Sequence, residues 1–128
     1  MKNIWTEIND DIPRYVQNIC KKFELVCIKI SPLRTALIGK KFALIITVDR
    51  FDAVIYYLHM DGKEIKVYLC DNYFAEKFDA NDIANGLLSK WEDVLKGEKD
   101  WIENYKKSKW FSEYKLPSEE MRKIEQYL

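Results

Sequence analysis

Residues 52–70 read DAVIYYLHMDGKEIKVYLC, in which two alternating segments, Asp52 to His59 and Glu64 to Cys70, flank an Asp61-Gly62 pair. An Asp-Gly pair between alternating apolar segments is a strong short-range hairpin signal, because these residues tolerate the positive φ of a tight turn. With Asp61 and Gly62 as the turn residues, Leu58 faces Ile65, Tyr56 faces Val67 and Val54 faces Leu69. One face of this hairpin is then wholly apolar and must be covered by a second layer.

Upstream, Leu33, Thr35 and Leu37 alternate with Arg34, Ala36 and Ile38 before Gly39-Lys40. A turn at those two residues sets Leu37 against Phe42 and Leu33 against Ile46. Ser31-Pro32 closes an earlier strand, Glu24 to Ile30, which is apolar on both alternating faces and is expected to be buried on both sides. Between Val48 and Asp52 two registers compete, and a slip of one residue reverses every face. A two-residue turn at Asp49-Arg50 sends Phe42, Leu44, Ile46 and Val48 away from Val54. An odd loop pairing Val48 with Asp52, with a bulge at Arg50-Phe51, instead unites Phe42, Leu44 and Ile46 with Val54, Tyr56 and Leu58, and this register is the expectation. The opposite face then carries Ala43, Ile45, Thr47, Ala53, Ile55, Tyr57, His59, Glu64, Lys66 and Tyr68, half apolar and half polar.

Helices flank this region on both sides. Ile12, Tyr15, Val16, Ile19, Cys20 and Phe23 form one stripe at helical spacing, with Asp11 placed to cap it and Pro13 in its first turn. Met1, Trp5 and Ile8 continue a similar stripe upstream, which predicts a short preceding helix bending near Pro13. After Asp71 the alternation stops. Asp79 is placed to cap a helix whose stripe runs through Ile83, Leu87, Leu88, Trp91, Val94 and Leu95 and ends at Lys96-Gly97. Trp101, Ile102 and Tyr105 predict a further short helix, Trp110, Phe111 and Tyr114 cluster without periodicity, and Pro117-Ser118 opens a last helix through Met121, Ile124 and Leu128. The fold predicted is α+β: an N-terminal helix, an antiparallel meander of about five strands, and C-terminal helices packed on one sheet face. The side covered by the N-terminal helix is left open. No repeat or linker divides the chain, so a single domain over 1–128 is expected.

Composition narrows the class. The 128 residues are 48% hydrophobic and 33% charged, the profile of a globular protein and not of a disordered tail. Glu7, Asp10 and Asp11 interrupt the first apolar residues, against a signal peptide, and no apolar run reaches the roughly 20 residues of a membrane span. Three cysteines, Cys20, Cys27 and Cys70, are an odd count without C-x-x-C spacing. They predict neither a zinc knuckle nor a disulfide framework, and a reducing cytoplasmic location is expected. Cys20 and Cys27 read as buried small hydrophobes.

Few residues offer chemistry. His59, the only histidine, pairs with Glu64 in the register above, which leaves Cys70 roughly 20 Å away, beyond the reach of a Cys–His dyad. Asp71, Glu76, Asp79 and Asp82 lack the glycine and spacing of a calcium loop. Four glycines form no phosphate-cradling loop, and no serine stands in a nucleophile elbow. No catalytic residue, metal or cofactor is assigned, and the chain is expected not to be an enzyme.

Formal charge sums to zero, yet residues 71–103 hold 9 acidic and 4 basic side chains. This block is the candidate partner surface: Asp71, Glu76, Asp79 and Asp82 supply polar contacts and Tyr73 or Phe74 an aromatic anchor, since two adjacent rings rarely both enter a core. The plainer reading is a solvated helix face with acids near helix starts. Lys106, Lys107 and Lys109 beside Trp110 and Phe111 mix cations with stacking surfaces, but zero net charge and the adjacent acidic block weigh against nucleic acid.

A small α+β domain with an antiparallel sheet from Phe42 to Cys70, followed by the acidic Asp71 to Asp82 segment and rich in Trp and Tyr, resembles the immunity proteins of bacterial polymorphic-toxin and contact-dependent inhibition systems. The resemblance implies a protein that blocks a toxin domain, for instance a basic nuclease, by tight binding, with no membrane involvement. A reading from another class is a small-ligand-binding or enzymatic domain using the mixed face around Tyr57, His59, Lys66 and Tyr68.

The strand faces carry a direct expectation. Leu44→Ala or Ile46→Ala will lower unfolding free energy by roughly 2–5 kcal/mol in denaturant titration. A loss below about half a kcal/mol at both positions would show that neither is a core residue.

Overall fold

The computed structural model describes residues 4–48, 53–70, 86–87 and 90–128, with the side chains of 4–6 and 53 left aside. The elements run α1 (Ile4–Tyr15), α2 (Gln17–Phe23), β1 (Val26–Ser31), β2 (Arg34–Gly39), β3 (Phe42–Val48), β4 (Ala53–Asp61), β5 (Glu64–Leu69), α3 (Glu92–Leu95), α4 (Trp101–Lys107) and α5 (Ser118–Glu125). The five strands form one antiparallel meander in the order β1-β2-β3-β4-β5. This is the predicted α+β arrangement, with helices at both ends of the chain.

Two hairpins turn one residue later than their glycines imply. β4 and β5 pair Asp61 with Glu64, Met60 with Ile65 and Leu58 with Val67, so Gly62 and Lys63 make the turn. Gly62 has φ 66°, and a positive φ at the first central residue is the pattern of a type II′ turn. β2 and β3 pair Gly39 with Phe42 and Leu37 with Leu44. Lys40 and Lys41 turn there, Lys41 at φ 64°. The Phe42 ring fills the space over Gly39, where a Cβ would lie 2.3 Å from Phe42 Cε1, so this strand position takes glycine. Both registers differ from expectation by two residues, which preserves every side chain's face.

The β3–β4 register corrects the sequence reading. Val48 pairs with Ala53 rather than Asp52, Ile46 with Ile55, Leu44 with Tyr57 and Phe42 with His59; residues 49–52, where a bulge was expected, lie outside the described residues. Phe42, Leu44, Ile46 and Val48 therefore share a face with Ile55, Tyr57 and Tyr68, while Ala43 and Ile45 share the other with Tyr56, Leu58 and Val67. Large side chains divide between two apolar faces, because both faces are covered.

The first face carries α1, α2, α3 and α4 through Ile12, Val16, Ile19, Trp91, Val94, Leu95, Ile102 and Tyr105. The N-terminal helices and the first C-terminal helices thus share one layer. The second face carries α5 and the segment before it, through Leu116, Met121 and Ile124. C-terminal helices accordingly lie on both sides of the sheet and not on one alone. Leu44, Ile46, Val67 and Leu87 are fully or almost fully buried, as the periodicity predicts, whereas Tyr56 is only half-buried.

The N-terminal helix breaks later than expected. Pro13 lies inside α1, where it cannot donate an i→i−4 bond, and α1 gives way to α2 at Val16, φ −99°. Asp11 consequently sits within α1 and caps nothing, and Tyr15 is exposed. Glu24 at φ 56° ends α2, so the strand begins at Val26. β1 is an edge strand, with Val26 44% exposed, where burial on both sides was expected.

Polar side chains pin the layers to the sheet. Asn9 of α1, fully buried, donates to the Ser31 carbonyl at 3.1 Å and accepts from Thr35 Oγ1 at 2.8 Å. On the second face Arg34 Nη1 reaches both Glu120 oxygens at 3.0 and 3.1 Å, Nη2 donates to Tyr114 Oη at 2.6 Å and Nε to Thr47 Oγ1 at 3.2 Å. Burial opposes the Arg34 charge, yet Glu120 and Tyr114 raise its pKa overall. Tyr114 stacks on Tyr56 with centroids 4.3 Å apart. Lys123 Nζ donates to the Ile30 carbonyl at 3.1 Å.

Glu120→Ala removes the carboxylate while leaving the guanidinium largely enclosed, and is expected to cost roughly 2–3 kcal/mol. In a thermodynamic cycle Arg34→Met with Glu120→Leu will cost less than the two single changes added together. Strict additivity would show that the pair does not hold α5 in place.

Candidate protein-binding surface

The candidate surface is built on the C-terminal layer. Leu87, Trp91, Val94 and Leu95 are buried in the stripe the sequence displays, which turns Glu92 and Asp93 to solvent. The α3 terminus is a Schellman motif: Gly97, at φ 86°, donates to the Val94 carbonyl at 2.9 Å and Glu98 to the Asp93 carbonyl at 3.1 Å. Trp101 Nε1 donates to the Glu98 carbonyl at 2.9 Å. This fixes the entry to α4, from which Ile102 and Tyr105 point inward.

Tyr105 organises the segment that follows. Its hydroxyl accepts from Ser112 N at 2.9 Å and donates toward the Leu69 carbonyl at 2.8 Å, with the Trp110 and Ser112 carbonyls at 3.3 and 3.2 Å. Ser108 Oγ donates to the Tyr105 carbonyl and accepts from Trp110 N. Leu69 N donates to Ser112 O at 3.0 Å and Tyr114 N to Val67 O at 2.8 Å. Residues 112–114 thus pair with the outer edge of β5, which blunts an otherwise open strand edge.

Held by these bonds, Trp110 is 44% exposed and Phe111 38%. Phe111 rests one side of its ring on Tyr68 and Tyr105, at centroid distances of 5.6 and 5.4 Å. Lys109 Nζ lies 4.8 Å from the Trp110 ring centre. Lys106, Lys107 and Lys109 are exposed, as are Glu98, Asp100 and Glu103. Exposed charges of both signs thus run along residues 90–109, with Lys90, Lys96 and Lys99 interleaved in sequence among the acids. Glu92, also exposed, pairs with Lys96 at 3.4 Å.

Asp71, Tyr73, Phe74, Glu76, Asp79 and Asp82, the residues the sequence singles out for partner contact, lie outside the described residues, as does the Asp79 cap. The sequence shows Trp110 and Phe111 as an aperiodic aromatic cluster. It does not show that Tyr105 ties their backbone down, because the partners are backbone groups of Leu69 and of residues 110 and 112.

The mixed face around Tyr57, His59, Lys66 and Tyr68 is enclosed. Tyr57, Tyr68 and His59 are buried, the last 5% exposed, under Trp101, Tyr105 and Phe111, while Lys66 reaches the rim and pairs with Glu64 at 3.2 Å. His59 pairs with Lys66, four residues from Cys70 along the strand, or roughly 13 Å. His59 Nε2 lies 3.4 Å from Tyr68 Oη, and neither His59 Nδ1 nor Tyr57 Oη has a hydrogen-bond partner among the described residues. Burial, followed by Lys99, lowers the His59 pKa. Burial, followed by Glu113, pushes the Tyr68 hydroxyl up to about 12, and burial raises Tyr57 as well.

On the opposite face a groove of about 420 Å³ runs between β5 and α5, lined by Ile65, Val67, Leu116 and Met121 with Lys115 and Arg122 at its rim. Among the described residues no three His, Cys, Asp or Glu side chains are grouped to hold a metal ion, and no helix is long and apolar enough to cross a membrane. No family model, curated protein or solved structure matches the chain.

His59 predicts the acid response. Its pKa is lower folded than unfolded, so the unfolded chain takes up the proton first, and stability present above about pH 6.5 declines as pH falls through the ordinary value and toward the lowered one. Denaturant midpoints from pH 8 to 5 should show this decline and, in His59→Phe, a shallower one; identical profiles would remove His59 as its source.

Proposed function

We propose that this chain is a cytoplasmic protein-binding module that neutralises a bacterial toxin domain by direct contact, as the resemblance to immunity proteins implies. The observation that carries the reading is Trp110, nearly half exposed on a backbone segment fixed by Tyr105. Held aromatic side chains contribute contact area with little ordering cost, and exposed Trp residues within a charged rim are frequent energetic centres of interfaces. Acids of residues 71–103 steer a basic partner, a nuclease domain among them, while Trp110 and Phe111 supply desolvated area.

The test is co-expression with the product of a neighbouring toxin gene, followed by binding kinetics. Trp110→Ala should weaken binding by roughly 2 kcal/mol or more, mainly through faster dissociation, while thermal stability stays near that of the parent. Reversing two of Asp71, Glu76 and Asp82 should slow association at low salt, with the effect fading as salt is raised. If no neighbouring product binds, or if both sets of variants leave the kinetics unchanged, the reading fails.

A further inference from the structure

The groove between β5 and α5 takes no part in the surface built on Trp110, and it arises from where α5 is anchored. Residues 112–114 run beside the outer edge of β5, but the helix that follows is bonded to the far strands of the sheet: Arg34 of β2 donates to Glu120, and Lys123 Nζ donates to the Ile30 carbonyl of β1. Held there, α5 does not close over β5, and about 420 Å³ stays open between them. Val67 and Leu116, almost fully buried, lie deepest, while Ile65 and Met121 are half-buried. A volume of this size is that of a small-molecule site, roughly 300–1,000 Å³ for the class.

The charged residues at the mouth are Lys115, Arg122 and Glu125, all exposed. Arg34 and Lys123 in the same layer are already bonded, whereas neither the Lys115 nor the Arg122 side chain pairs with a carboxylate among the described residues. An apolar trough whose mouth holds two cations and one acid is complementary to a molecule with an apolar body and a single negative end. We propose that the groove binds a free medium-chain carboxylic acid, its alkyl chain along Ile65, Val67, Leu116 and Met121 and its carboxylate between Lys115 and Arg122. The chain gains affinity by leaving water, about fourfold for each methylene buried. Met121, an unbranched and flexible side chain, adapts to the alkyl body. The two cations decide which end faces out, and because they are solvated their contribution is modest, about fivefold. Glu125 opposes the carboxylate.

The experiment titrates decanoate, below its micellar concentration, into the purified chain and follows amide and methyl shifts by heteronuclear NMR, with octanoate and decanol as comparison probes. Saturable shifts are expected at Ile65, Val67, Leu116 and Met121, with octanoate about fifteenfold weaker than decanoate and decanol about fivefold weaker at low salt. Lys115→Gln with Arg122→Gln should bring decanoate down to the affinity of decanol. Glu125→Gln should tighten decanoate and leave decanol unchanged, a response that a purely structural role for Glu125 would not give. Ile65→Trp, which fills the groove, should abolish binding of all three probes. The absence of saturable shifts, shifts centred on Trp110 and Phe111 instead of the groove, or equal affinity for decanoate and decanol would each overturn the proposal. If Ile65→Trp does not fold, the charge variants, which alter only exposed side chains, decide alone.

Discussion

Strand β3 sits at the centre of the sheet and is buried on both faces, with Leu44 and Ile46 in one cluster and Ala43 and Ile45 in the other. A sheet of this kind cannot leave either face in water, since apolar area contributes about 25 cal/mol per Å² only when it is removed from solvent. Two covering layers follow from that requirement. The N-terminal helices, α3 and α4 cover one face, and α5 with Leu116 covers the other.

Apolar contact brings a layer to the sheet but does not fix its angle, and the buried polar groups do that. Asn9 joins α1 to Ser31 and Thr35, Arg34 joins β2 to Glu120 of α5, and Tyr105 joins α4 to the end of β5. Each partner would be left unsatisfied in a low-dielectric setting if its layer slid, so each bond specifies one arrangement. Tyr105 carries the further consequence that Trp110 is displayed from a fixed backbone.

Much of this was legible in local pattern. Five strands, their meander order, the Leu87, Trp91, Val94 and Leu95 stripe and the short helix at Trp101 all follow from residues near one another in the chain. Phe42 to Val48 also carried a signal for two-sided burial, since FALIITV is apolar without alternation, the mark of a strand covered on both faces. A strand apolar on both faces gives no parity signal of its own, so the β3–β4 register is set by packing. The aromatic pair at 110 and 111 was visible as composition, but neither its exposure nor its anchoring could be read from neighbours in sequence.

The sequence by itself determined which segments become strands and helices and which strands are neighbours, because turn chemistry and hydrophobic period act over a few residues. Only the tertiary structure decided the registers, the division of helices between faces and the exposure of Trp110. Register depends on which pairing buries most area across strands, as when the Phe42 ring claims the space above Gly39. Exposure depends on what the rest of the chain has already covered. Neither quantity exists until distant segments have met.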